Sequence, residues 1–403
     1  MPEQNRIQKI RNHPGSASFL ATILAIFSGL LLGFLIMLLA GPSAAGNGIL
    51  VVLTGGIPVA LNAAKQLGQI FYQAVPVLLT GLSVGFVFKL GLFNIGVAGQ
   101  YTMGLFFAMY AAFSFPLPSG IHWGVCLLAG MLGGALWGTL TGLLKAWRGV
   151  NEVIAAIMLN YIGMYLVDMW VQGNTAMYEA SRARTKYIPA SAQLPSLGIS
   201  GSNLNIGIFL AIGAAVLLWI VLNKTVFGYE LRATGLNPDA AVYAGMNSRR
   251  NILVTMLIGG ALAGLGGACT ILAPAVIPGS SVTYEPINVI AQAGFHGIAA
   301  ALLGGANPLG IIFSAIFISL IRRGGSAAAL YGYRLEIIDI VIAVVIYCAS
   351  FSLLIRELTE KIGQKRTGAG AERSEMTKKH RTQKESGMTD RGKKEGGDTA
   401  WIR

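Results

Sequence analysis

Ten apolar runs, most of them near bilayer length, constrain this chain more than any other feature. They fall at about 18–40, 70–90, 97–115, 121–144, 152–171, 205–223, 251–273, 285–303, 308–321 and 335–355. The first, from Phe19 to Ala40, covers 22 residues. As a helix that is about 33 Å, the thickness of the hydrocarbon layer, where a signal peptide's apolar core is only about 7–15 residues. In hydrocarbon every backbone N–H and C=O must be paired within the protein, and the alternating pattern of a membrane barrel is absent, so the runs read as helices. The expected fold is an all-α polytopic membrane protein with about ten transmembrane helices, eight of them secure. Runs eight and nine are short and interrupted by glycine, so one of them reads as a broken or re-entrant helix.

Charge sets the orientation. Only 12% of the residues are charged, where a soluble domain carries about 25%. Eight of the seventeen acidic residues lie between His13 and Ile355, while thirteen of the thirty Lys and Arg fall from Arg356 onward. The net charge of +13 therefore belongs largely to a tail that directly follows an apolar run. Basic residues in that position follow the positive-inside rule and attract anionic lipid, which argues for a membrane surface and against nucleic acid. With Arg6, Lys9 and Arg11 inside, 23 basic residues fall on the cytoplasmic side and seven outside. Among the seven, Arg322, Arg323 and Arg334 fit the rule least well. Three parts are expected: a cytoplasmic N-terminus over 1–17, a transmembrane domain over 18–356, and a basic disordered tail over 357–403, all in a bacterial cell membrane with both termini cytoplasmic.

Glycine spacing points to tight packing. Gly130, Gly134, Gly138 and Gly142 recur every fourth residue, and Gly29–Gly33, Gly81–Gly85 and Gly260–Gly264 repeat the step. Small residues on one helix face let backbones touch, which matters where lipid removes the hydrophobic drive between helices.

Enzymatic motifs are absent: no H-E-x-x-H, no G-x-S-x-G, no carboxylate pair within a span, and no phosphate-binding G-x-x-x-x-G-K-[ST]. No catalytic residue, metal site or cofactor is expected, and Cys126, Cys269 and Cys348 read as small apolar residues. His122 and His296 read as packed or hydrogen-bonded. Polar residues among apolar ones are the better candidates. The glycine-rich break Gly91–Gln100 carries Asn94 and Gln100, and the fifth run carries Glu152 at its start and Asn160 within. These four are candidates to line a solute path. Asp168, Glu285 and Asp339 lie near run ends, which argues against an ion-coupled carrier. The loop from Lys224 to Asn251 holds an amphipathic turn around Glu230 and Arg232, a Gly-Leu-Asn-Pro break, and a short Ala-rich helix suited to a protein partner.

That loop resembles the coupling segment of ATP-binding-cassette importer permeases, in the superfamily that serves branched-chain amino acids, simple sugars and nucleosides. The family pattern Gly-x-x-x-Arg-Ala-x-Gly-x-Asn-x-x-Ala-Ala-x-x-x-Gly is matched by Gly228, Arg232, Ala233, Gly235, Asn237, Ala240, Ala241 and Gly245, with Glu230 inside it. Gly91–Gln100 and Asn151–Tyr161 resemble the nucleoside branch. The resemblance implies a pore subunit without ATPase activity of its own. Its partners would be ABC ATPase subunits, a second permease subunit and an extracytoplasmic substrate-binding protein. The expected cargo is a nucleoside; the alternatives are a simple sugar or a branched-chain amino acid and, from another class, an ion-coupled secondary transporter.

Overall fold

The computed structural model describes residues 14–277 and 279–350. The tail expected over 357–403 and most of the expected N-terminal segment 1–17 lie outside the described residues. The chain divides into two units, one made of Ser28–Ala349 and one of the terminal stretches Met1–Phe27 and Ser350–Arg403. Of the second, Pro14–Phe27 is described, and it is helical.

The helices in chain order are α1 (Pro14–Ala40), α2 (Ala45–Leu53), α3 (Ala63–Phe88), α4 (Val97–Ser114), α5 (His122–Arg148), α6 (Glu152–Gln172), α7 (Gly207–Lys224), α8 (Val226–Leu236), α9 (Pro238–Tyr243), α10 (Ser248–Ile271), α11 (Gln292–Leu303), α12 (Pro308–Ala328) and α13 (Leu335–Ser350). A two-stranded antiparallel hairpin, β1 (Tyr178–Glu179) and β2 (Arg184–Thr185), lies between α6 and α7. Among the described residues six helices, α3, α5, α6, α7, α10 and α12, are long and apolar enough to cross a membrane.

At the centre lies α4, with fourteen of its eighteen residues buried. It packs against α5 and α10, which pack on each other. The glycine stripe explains the fit. A methyl group added at Gly134 would sit 2.6 Å from the Cα of Gly264, and one at Gly138 would sit 3.0 Å from the Cα of Gly260. Both are closer than side chains tolerate, so the two backbones touch where the fourfold spacing places them. The opposite face of α5 exposes Leu128, Leu132, Leu136, Leu140 and Leu144, also four apart. One helix thus carries a packing stripe and a lipid-facing stripe. A second apolar cluster joins α1, α2, α12 and α13 through Met37, Val52, Ile321, Tyr333 and Val341.

Contacts at the helix ends define two faces. One holds the end of α3, the start of α4, and α8 and α9; there Gly91 meets Gly235, and Asn251 donates to Thr234 Oγ1 at 3.2 Å. The other holds the start of α3 and the hairpin region, where Gln69 donates to Asn203 at 2.9 Å and Arg323 donates to Gln66. The eighth of the expected runs differs from the expectation. Its apolar run begins at 285, yet the helix covers only Gln292–Leu303, about 18 Å at 1.5 Å per residue and too short for a bilayer. The preceding stretch is extended for local reasons. Pro286 removes an N–H donor, and Asn288 has φ +56°, the left-handed region that Asn tolerates and helices exclude. The chain then continues into α12, which is long and apolar enough to cross. Short α2 carries no counterpart among the expected runs.

Candidate functional site

Three places gather the polar side chains of this apolar bundle. The first is the α8–α9 element. Thr225 starts α8 by accepting from the Gly228 N–H at 3.2 Å. Asn237 ends α8 and caps α9, its Oδ1 accepting from the Ala240 N–H at 3.0 Å, with Pro238 at the first helical position. Gly245, at φ +82°, ends α9 in a conformation natural to glycine. Gly228 and Gly235 are close-approach points. A methyl at Gly228 would lie 2.6 Å from the Leu222 carbonyl oxygen, and one at Gly235 2.9 Å from the Leu90 carbonyl carbon. The end of α8 therefore rests backbone to backbone on Lys89–Gly91. Leu231 and Ala241 are buried and anchor the element. Tyr229, Leu236, Val242 and Tyr243 are exposed, Leu236 at 88% and Tyr243 at 94%. Arg232 is exposed; its Nε donates to the Gly228 carbonyl at 3.3 Å, and it lines a small recess with Lys89, Asn223 and Asn307. Glu230 and Ala233 are half-buried, and Ala240 is exposed.

The second place lies directly behind. Asn94 and Gln100 exchange two amide hydrogen bonds, at 2.9 and 3.1 Å, and Asn94 also donates to Ser83 Oγ at 3.1 Å. Asn160 accepts from the Gly99 N–H at 2.8 Å and donates to the Ile95 carbonyl at 3.0 Å. All three side chains are at most 3% exposed. The structure thus brings these candidates together, with their amides satisfied by protein. They staple the broken connection between α3 and α4 to the middle of α6, because backbone groups freed by the break need partners inside a membrane. Glu152 is not among them: it starts α6 and pairs with Lys145 at 2.8 Å.

The third place is a cavity of about 250 Å³ between α3, α4, α10, α11 and α12. Tyr72 and Gln73, Tyr101, Thr270, Ala293, and Ser319, Arg322 and Ser326 line it. Tyr72 donates its hydroxyl to the Thr270 carbonyl at 3.2 Å. Thr80 donates to the Pro76 carbonyl at 2.6 Å and to the Ala293 carbonyl at 3.0 Å, which fixes the start of α11 halfway along α3. Ser319 Oγ and His296 Nε2 are buried without a hydrogen-bond partner. Arg322 therefore occupies a cavity wall and not an external loop, which accounts for its poor fit to the positive-inside count. Sequence reasoning missed Tyr72, Gln73, Tyr101 and Ser319. They stand on three helices, and Ser319 lies more than two hundred residues beyond the other three.

Beyond the cavity the extended stretch before α11 is latched to its neighbours. Asp168, 2% exposed in α6, accepts from the Tyr284 hydroxyl at 2.6 Å and from the Asn288 N–H at 2.8 Å. Burial and the Asp168 carboxylate push the Tyr284 phenol above its ordinary range, so it stays a donor. Tyr284 and Thr185 of β2 exchange two further bonds, each at 2.9 Å. Glu285 beside it is exposed. Among the described residues no group of three or more His, Cys, Asp or Glu converges to hold a metal ion.

Against this geometry the comparisons with known proteins are informative. The family model described as the branched-chain amino acid transport system permease component matches residues 66–350. The chain is 36% identical to the guanosine ABC transporter permease protein NupP of Bacillus subtilis over 350 residues, 86% of this chain and 97% of the relative. It is 35% identical to the nucleoside ABC transporter permease protein NupB of Lactococcus lactis over 353 residues, 85% and 93% of the two chains. It is 29% identical to the glucose ABC transporter permease protein TsgB13 of Haloferax volcanii, over 71% of this chain and 76% of the relative. No solved structure matches.

Proposed function

This chain belongs to the family of branched-chain amino acid transport system permease components, and from that premise we propose that it is the membrane pore subunit of an ATP-driven nucleoside importer. The observation that carries the reading is the α8–α9 element, an exposed apolar surface of Tyr229, Leu236, Val242 and Tyr243 on a backbone seat at Lys89–Gly91. A surface so placed suits a soluble partner that pushes on the bundle. The partners in this reading are ABC ATPase subunits on the α8–α9 face, a second permease subunit in the membrane, and a substrate-binding protein that delivers cargo to the hairpin face. The α8–α9 face is cytoplasmic, in a bacterial cell membrane with both termini inside.

Mechanically, ATPase closure displaces α8. Gly235 transmits the shift to Lys89–Gly91, and the Asn94–Gln100–Asn160 staple carries it into α4 and α6. Two packings of the bundle then exchange, each favoured by a different partner state. In this scheme the staple serves as a link, and Glu152–Lys145 holds the α5–α6 turn beside it. Nucleosides as cargo rest on the two relatives at 35–36% identity. The test is uptake of labelled guanosine, glucose and leucine by cells carrying the complete transporter, with the proton gradient collapsed and ATP kept. Guanosine uptake that persists supports the reading. Uptake of glucose or leucine alone reassigns the cargo, and loss of uptake with the gradient removes the ATP-driven mechanism.

A further inference from the structure

The cavity beside α11 has a bias that apolar packing does not explain. Arginine and hydroxyl donors stand among its open groups. Ser319 Oγ is 1% exposed, lines the cavity and has no partner. The Arg322 guanidinium makes no salt bridge within 4.0 Å among the described residues, Asp339 acting on it only from beyond that distance, whereas neighbouring Arg323 is held by the Gln66 amide at 3.0 and 3.1 Å. The N-terminus of α11 opens beside it at Ala293, and its cap residue Ala291 supplies no side-chain acceptor. The positive end of the helix dipole thus lies beside the same space. Tyr72 and Tyr101 add aromatic walls, with the Tyr72 hydroxyl already bonded to Thr270. At about 250 Å³ the cavity would hold roughly eight waters, at about 30 Å³ each.

A ligand suited to these walls is flat, apolar on its faces and rich in acceptors along one edge. We infer that the cavity is the solute's recognition site within this subunit, and that Arg322 and Ser319 read the acceptor edge of a 6-oxopurine nucleoside. The inference rests on the nucleoside reading above and narrows it. Guanine and hypoxanthine present O6 and N7 side by side, an edge that a guanidinium meets with two parallel hydrogen bonds. Adenine replaces O6 with an amino donor, which meets Arg322 donor to donor. The base faces lie against Tyr72 and Tyr101, and the Gln73 amide, which both donates and accepts, remains for the sugar hydroxyls.

The experiment uses the complete transporter reconstituted in liposomes, with one binding protein throughout, so that a change in selectivity belongs to this chain. Initial uptake rates give kcat/KM for guanosine, inosine, adenosine and 7-deazaguanosine, which lacks N7. For Arg322→Gln the guanosine-to-adenosine ratio is expected to fall by about 5- to 150-fold, the value of a bidentate base contact. Arg322→Lys falls part of the way, since an ammonium lacks the planar fork. In the unmodified transporter 7-deazaguanosine follows adenosine and not guanosine. If the Arg322 variants fail to assemble with the ATPase, Ser319→Ala decides, with an expected fall of about two- to tenfold for one neutral hydrogen bond. A ratio unchanged in the assembled variants overturns the inference and leaves nucleoside import standing. Preferential competition by guanosine monophosphate or by inorganic phosphate overturns it in favour of an anion site. Transport of sugar with no nucleoside overturns the functional reading and this inference with it.

Discussion

At the scale of single residues, polar groups here divide into those satisfied by protein and those left open, and the two kinds respond differently to substitution. Asn160→Ala removes partners from the Gly99 N–H and the Ile95 carbonyl, both enclosed. A buried group left unpaired costs about 1–3 kcal/mol, so the detergent-solubilised variant should melt several degrees lower, with the KM for solute unchanged. A raised KM with an unchanged melting temperature would instead make Asn160 a solute contact. Asp168→Asn keeps an acceptor for one of its two donors and turns the other oxygen into an amino group facing the Asn288 N–H. Hydrogen bonds to charged groups are worth about 1.5–3 kcal/mol, so the stretch around Tyr284 should become accessible to protease in the folded variant. Equal cleavage rates in the two proteins would show that Thr185 holds the stretch unaided. Of these contacts the sequence displayed the residue types and not the pairing, since Asp168 and Tyr284 are 116 positions apart.

At the scale of elements, the crossings were legible because hydropathy integrates over some twenty residues, and the α8–α9 break was legible because Asn-Pro and glycine punctuate it. The half-length of α11 was not, because Ile287, Val289 and Ile290 keep the run apolar before the helix has begun. The cavity was hidden for the opposite reason: a lone Ser319 barely changes a window average. Packing of α5 on α10 gives a direct test. Gly134→Leu places a side chain where the Gly264 Cα lies 2.6 Å from the first added carbon. Overpacking costs about 1–3 kcal/mol or more, so the variant should lose assembled protein in the membrane. Gly124→Ala on the same helix meets nothing within 4 Å and should express normally, since alanine favours a helix by up to about 1 kcal/mol. Similar expression of the two variants would refute the backbone contact as a determinant of folding. On the exposed side, Tyr243→Asp should leave the permease folded and abolish co-purification of the ATPase. Retained ATPase with normal uptake would remove α9 from the contact.

At the scale of the whole molecule, the proposed orientation puts the hairpin face outside and the α8–α9 face inside. Ser200→Cys on the hairpin face should react with an impermeant maleimide on intact cells, and Ala244→Cys only after permeabilisation. The reverse pattern would invert the protein and defeat the importer reading. The extended stretch ahead of α11 also bears on how the protein is made. Most crossings can enter lipid as soon as they are synthesised, because a full-length helix carries its own hydrogen bonds. This one cannot: its bare peptide groups would each cost several kcal/mol in hydrocarbon, and their partners on Asp168 and Thr185 belong to segments made 120 and 99 residues earlier. Biosynthesis is therefore expected to be ordered, with the α3–α10 scaffold standing before α11 and α12 settle against it. A ribosome-bound chain stalled before α12 emerges would hold the eighth segment outside the lipid, waiting for its companion.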